Sequence, residues 1–124
     1  MIYRIALAIF STAATFISGP VKADTLRWVC KYDVMASPAG VQRESFRLEF
    51  ALDSLTKKAV LIGNAGMSDV AVLNGDQAIT FAETLGTGVI QTTSISHRDG
   101  KSVHSRHSIL GGSFVPSQYY GVCK

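Results

Sequence analysis

The run Gly88-Val-Ile-Gln-Thr-Thr-Ser-Ile-Ser-His97, the tetrapeptide Arg98-Asp-Gly-Lys101 and the return Ser102-Val-His-Ser-Arg-His-Ser-Ile-Leu110 read together as a β-hairpin. Asp-Gly between two β-prone runs is a strong signal for a type I′ turn, because both central residues of that turn need positive φ. A two-residue Asp99-Gly100 turn pairs His97 with Ser102, Ile95 with His104, Thr93 with Arg106 and Gln91 with Ser108. Directly paired residues share a face of the sheet. One face then gathers Gln91, Thr93, His97, His104 and Arg106. The other carries Thr92, Ser94, Ser105 and His107 between aliphatic ends at Ile90 and Ile109. All 3 histidines of the chain lie in this hairpin.

Alternation continues on either side. In Thr25–Val34, Leu26, Trp28, Cys30, Tyr32 and Val34 occupy one face, and Arg27, Lys31 and Asp33 the other. Period two over that length is a half-buried strand. Glu44–Asp53 repeats the pattern with Phe46, Leu48, Phe50 and Leu52 inward. Met35–Arg43, with Ser37-Pro38-Ala39-Gly40 inside it, reads as a loop. Ala59–Gly63, Met67–Leu73 and Gln77–Thr84 are short strands, and Asn74-Gly75 between the last two is a second type I′ signal. Gly111–Ser117 reads as irregular, and Tyr119–Cys123 as a closing strand. About eight short strands with local turns predict an all-β antiparallel meander, a closed barrel in preference to a two-sheet sandwich. An interior of that strand number is filled by side chains or holds one small ligand.

Residues 1–23 read as a secretory leader. Arg4 supplies the positive start, Ile5–Ile17 the apolar run, and Val21-Lys22-Ala23 the small residues of a cleavage site. The apolar run is shorter than the roughly 20 residues a spanning helix needs. Cleavage after Ala23 leaves 101 of the 124 residues, one domain with a modest core. Removing Arg4 and Lys22 from the 12 basic residues leaves 10 against 9 acidic ones. A balance that close argues against a nucleic-acid or anionic-membrane partner, and no stable membrane insertion is expected. The 2 cysteines, Cys30 and Cys123, lie close to the two ends of the mature chain, and an even count in an exported chain reads as a disulfide.

The Gln91, Thr93, His97, His104, Arg106 face suits a carboxylate, a sugar or the acidic cleft of a protein partner; the alternative is an ordinary solvated strand face. Thr92, Ser94, Ser105 and His107 are expected to face the interior. They either line a small-ligand cavity or bond to the backbone around one satisfied histidine. No cofactor motif and no metal site is read. His97 and His104 lack the third ligand that catalytic zinc needs, and no CxxC accompanies the cysteines. No serine sits in a Gly-x-Ser-x-Gly elbow, so no catalytic residue is assigned and a Ser/His hydrolase ranks last.

The plan of the chain carries a resemblance. A leader, a mature chain near one hundred residues, an early Trp28-x-Cys30-x-Tyr32 and a cysteine beside the C-terminus resemble small proteobacterial periplasmic β-barrels. The inhibitors of C-type lysozyme are among them, eight-stranded barrels that present a loop to the lysozyme cleft. Their Ser-Gly-x-Arg-Tyr signature has only Ser105-Arg106 as a counterpart here, without the Gly or the Tyr, so no functional residue carries over. The ending Tyr119-Tyr120-Gly121-Val122-Cys123 also resembles exported, uncharacterised alphaproteobacterial proteins. These readings point to a periplasmic or secreted, disulfide-closed barrel that binds a protein partner in the manner of an inhibitor. A lipocalin-like carrier of a small ligand is the alternative.

Overall fold

The computed structural model describes residues 24–124; the leader expected over 1–23 lies outside the described residues. Eight strands follow one another around a closed antiparallel barrel: β1 Thr25–Ser37, β2 Gly40–Asp53, β3 Ala59–Gly63, β4 Gly66–Asn74, β5 Ala78–Thr84, β6 Ile90–Ser96, β7 Lys101–Leu110 and β8 Ser113–Cys123. β8 closes the barrel on β1. Cys30 lies directly opposite Cys123 in that ladder, and the two are joined by the expected disulfide. Closure removes the sheet edges, and the covalent link sits at the seam where an open meander would fray.

The lower end of the barrel holds Asp24 and Lys124. Its core is the alternating apolar set of the first two strands with β5. Phe50 stacks on Phe81 at 4.4 Å between ring centroids, and Trp28 meets Phe81 edge-on at 5.5 Å. Leu52, Ala59, Ile79 and Ile95 complete this layer around the disulfide. Tyr32 lies above it. There β1 carries a bulge: Tyr32 pairs with Gly121 of β8, but the next pair is Val34 with Tyr120, so Asp33 is left over. β1 and β8 come very close at this point. A Cβ on Gly121 would run into the Lys31 carbonyl oxygen and lie 2.7 Å from the Tyr32 Cα, so only glycine fits.

Three segments outside the β6–β7 hairpin differ from the sequence reading. Met35–Arg43 is not a loop, because β1 and β2 keep pairing to Ser37–Gly40 around a two-residue Pro38-Ala39 turn. Gly111–Ser117 is likewise not irregular. Gly111 and Gly112, with φ of 58° and 80°, form a two-residue turn, and Ser113–Ser117 pairs with Arg106–Leu110. The Asn74-Gly75 turn is longer than two residues, and Gly75 N–H bonds to the Ala78 carbonyl instead.

The hairpin of β6 and β7 is the main correction. Its turn is a four-residue loop, His97–Gly100, closed by Gly100 N–H bonding to the Ser96 carbonyl. His97 is drawn out of the ladder, with its N–H bonding to the Gln77 carbonyl. Ile95 therefore pairs with Ser102 and Thr93 with His104. A shift by two keeps the face sets intact, since side chains alternate with period two. The inner and outer faces, however, are reversed from expectation. Thr93, Ile95, Ser102 and His104 are buried in the barrel, whereas Val103, between Ser102 and His104, is exposed.

Candidate functional site

The reversal puts polar chemistry inside. His104 is fully buried, 1 % exposed. Tyr32, Phe46 and Tyr119 surround it with ring centroids 5.6–6.1 Å away. Arg106, two residues on along β7, lies above it on the same face. The Arg106 Nε–H donates to His104 Nε2 at 3.1 Å. Arginine has no acceptor, so Nε2 must carry the lone pair and the ring proton sits on Nδ1. That N–H donates to Thr93 Oγ1 at 2.7 Å. Burial, and then the Arg106 charge, push the His104 pKa down to about 3. His104 is thus a neutral brace, with both nitrogens committed. A second buried bond joins Tyr32 Oη and Ser102 Oγ at 2.8 Å, while burial raises the Tyr32 pKa.

The brace aims Arg106. Its guanidinium lies 4.3 Å from the Phe46 ring centroid and 5.1 Å from that of Tyr119. Aromatic faces attract a cation and hold its plane flat. The ion pairs among the described residues are those of Arg27 and Arg47 with Glu49, so Arg106 has no carboxylate within 4.0 Å there.

Above Arg106 the barrel is open. β4 pairs with β5 only from Ala71–Asn74 to Ile79–Ala82. Beyond that ladder the β3–β4 tip and the upper end of β5 diverge around a cleft of about 390 Å³. Phe46, Leu48 and Leu61 form its apolar wall. Arg106, Gln91, Glu83 and Ser68 line it with polar side chains, and Gly63–Gly66 forms its lip. The arrangement offers an oriented cation, an amide, a carboxylate and a hydroxyl over an apolar floor.

Of the face expected to bind a partner from outside, Gln91, Thr93, His104 and Arg106 share the interior instead. Thr93 and His104 are consumed by the brace, and Gln91 and Arg106 reach the cleft. His97 is not with them. It sits at the lower end, where its Nε2–H bonds to Asn74 Oδ1 and the Gly75 carbonyl, each at 2.9 Å, and ties two loops together. The four residues expected inside are outside. Ser94 bonds to Thr80 at 2.7 Å on the outer wall and lines an outer groove with Val103 and Tyr120. Thr92 and His107 line an outer recess with Ile90 and Phe114. Ser105 pairs with Thr92 on that same outer face.

The sequence reading missed Glu83 and Ser68. Glu83 follows Ile79 and Phe81 at intervals of two, so its side was already marked by two buried residues. Ser68 likewise shares a face with Val70 and Val72, which pack on the core. No protein-family model, no curated protein and no solved structure matches the chain.

Proposed function

We propose that this chain is an exported, non-catalytic binding protein that takes a small carboxylate-bearing ligand into the upper mouth of its barrel. The observation that carries this reading is Arg106. Its guanidinium is held by His104, Phe46 and Tyr119, faces a cleft, and has no carboxylate partner among the described residues. A positioned arginine with a free edge binds a carboxylate by a two-pronged, charge-assisted pair. The apolar wall of Phe46, Leu48 and Leu61 would take an aliphatic tail. Chemistry is a weaker use of the same groups, because a histidine with a pKa near 3 and both nitrogens bonded is a poor general base at neutral pH. The disulfide supports export to a periplasmic or extracellular space, where such bonds persist.

The test is an amide NMR titration of the oxidised protein with two carboxylates of one carbon skeleton, 4-methylpentanoate and L-leucine. At least one should shift the amides of Ser68, Glu83, Gln91 and Arg106 saturably, and Arg106→Gln should abolish that shift. If neither probe moves those amides, or if Arg106→Gln binds as well as wild type, the reading fails.

A second reading rests on different residues. At the upper end the β7–β8 tip runs on past the ladders of both neighbouring strands, because β6 stops pairing at Ser105 and β1 at Gln118. Leu110 and Phe114 on it, and Val41 on the β1–β2 tip, are largely exposed. Uncharged, protruding tips of this kind suit insertion into a protein partner's cleft, as in an inhibitor. Inhibition of a C-type lysozyme that is lost in Leu110→Asp would support it. An unaffected lysozyme would exclude that partner.

A further inference from the structure

We infer that the ligand of the mouth is a small zwitterion with an apolar tail, of the kind an aliphatic α-amino acid presents; this rests on the mouth being a binding site. Glu83 pairs with Gln91 across β5 and β6. The β6–β7 ladder ends at Thr92 with Ser105, and its next step places Gln91 beside Arg106. Acid, amide and base therefore form one row across three strands, and all three line the cleft. Neighbouring strands are about 4.8 Å apart, so the Glu83 and Arg106 backbones are separated by roughly 10 Å, a gap two long side chains reach across.

Glu83 and Arg106 are half-buried, and neither has an ion-pair partner among the described residues. A half-buried charge without a partner is poorly solvated, and each gains from a ligand group of opposite sign. A plain carboxylate would satisfy Arg106 but bring a negative charge into the cleft that Glu83 shares. A plain amine would do the reverse. A molecule bearing both charges on adjacent atoms meets both side chains, and Gln91 between them can donate to the carboxylate and accept from the ammonium. Leu48, Leu61 and Phe46 then face the tail. The selection is by charge pattern, with the apolar wall setting the tail.

Three probes separate the possibilities: L-leucine, its des-amino analogue 4-methylpentanoate and its des-carboxy analogue isoamylamine, titrated calorimetrically into the oxidised protein. Leucine is expected to bind about ten- to hundredfold tighter than either analogue, the loss that goes with removing one charge-assisted hydrogen bond. Glu83→Gln should bring leucine down to the level of 4-methylpentanoate without weakening 4-methylpentanoate itself. If 4-methylpentanoate binds as well as leucine in an Arg106-dependent way, and Glu83→Gln leaves leucine unchanged, the zwitterion inference is overturned while the carboxylate site stands. If no probe binds in an Arg106-dependent way, both fall. A circular dichroism melt of each variant at wild-type temperature confirms that the comparison is between folded proteins.

Discussion

Acid should destabilise this protein in large part through one buried residue. His104 is sealed in a box of Tyr32, Phe46 and Tyr119, with Arg106 donating to its only lone pair. Protonation would displace the Arg106 bond and place two cations in contact inside the barrel. The native pKa is accordingly pushed from 6.5 to about 3. The unfolded chain binds the proton near pH 6.5, whereas the native state binds it only near 3. Between those values the unfolded state holds more protons, so stability is full above about pH 6.5 and falls as pH drops toward 3. Each pKa unit corresponds to about 1.36 kcal/mol, so the full window is worth about 5 kcal/mol and the slope approaches 1.4 kcal/mol per pH unit. His104→Gln keeps one acceptor and one donor but does not titrate. Urea melts of both proteins across about pH 4 to 7.5 read the effect, and the quantity of interest is the difference between them. Asp53 and Asp99, held below the usual carboxylate range by backbone N–H bonds, also lose their contribution in acid, but identically in both proteins. Parallel curves for wild type and His104→Gln would refute the reasoning. They would mean that His104 either charges freely in the native state or is not enclosed.

Four other perturbations probe the barrel. Reducing the Cys30–Cys123 bridge, which spans 93 residues, should lower stability by about 2–5 kcal/mol in denaturant melts with and without reductant; coincident melts would show that the seam holds without it. Gly121→Ala should force β1 and β8 apart, because its methyl meets the Lys31 carbonyl and the Tyr32 backbone, and a loss of about 1–3 kcal/mol or more is expected; a wild-type melt would mean that the strands are not so close. Thr93→Val should leave the buried Nδ1–H of His104 without an acceptor and cost about 1–3 kcal/mol, whereas Ser94→Leu on the outer wall should cost no more than about 1 kcal/mol and leave ligand binding intact. The opposite ranking would mean that the inner and outer faces are the other way round.

The barrel was legible because its first two strands are unambiguous. Trp28, Cys30 and Tyr32, and Phe46 to Leu52 at alternate positions, leave no competing period, and two cysteines at the ends imply closure. The upper hairpins were not legible, for a reason of composition. A two-residue turn and a loop use the same residues, so Ser37-Pro38-Ala39-Gly40 and Gly111-Gly112 look like interruptions when each is the centre of a long pair. Both tips pair mostly within themselves, so no apolar alternation marks them. The length of the His97–Gly100 loop is set from outside, by the bonds His97 makes to Asn74, Gly75 and Gln77, which local turn preference does not contain.

The inner face of β7 is a different matter, because the information was present and a single link was missing. Both faces of the β6–β7 hairpin are rich in hydroxyls, so polarity does not separate them: Thr92, Ser94 and Ser105 on one side are no more polar than Thr93, Ser102 and His104 on the other. The link is β8. Cys123 must share a face with Cys30, and hence with Tyr32, which makes Gly121 and Tyr119 inward by period two. A two-residue Gly111-Gly112 turn pairs Leu110 with Ser113 and, counting down the strands, His104 with Tyr119. Paired residues share a face, so His104 is inside and Arg106 with it. The disulfide, one glycine pair and the alternation of a strand thus suffice to bury a histidine that polarity alone would leave in solvent. Reading Gly111–Ser117 as irregular broke that chain one step short of the site. The same logic places Arg106 between the buried His104 and the cleft on which the proposed function rests: it is the first inward position of β7 past the end of the pairing with β6, so it lines the cleft above and is held by His104 below.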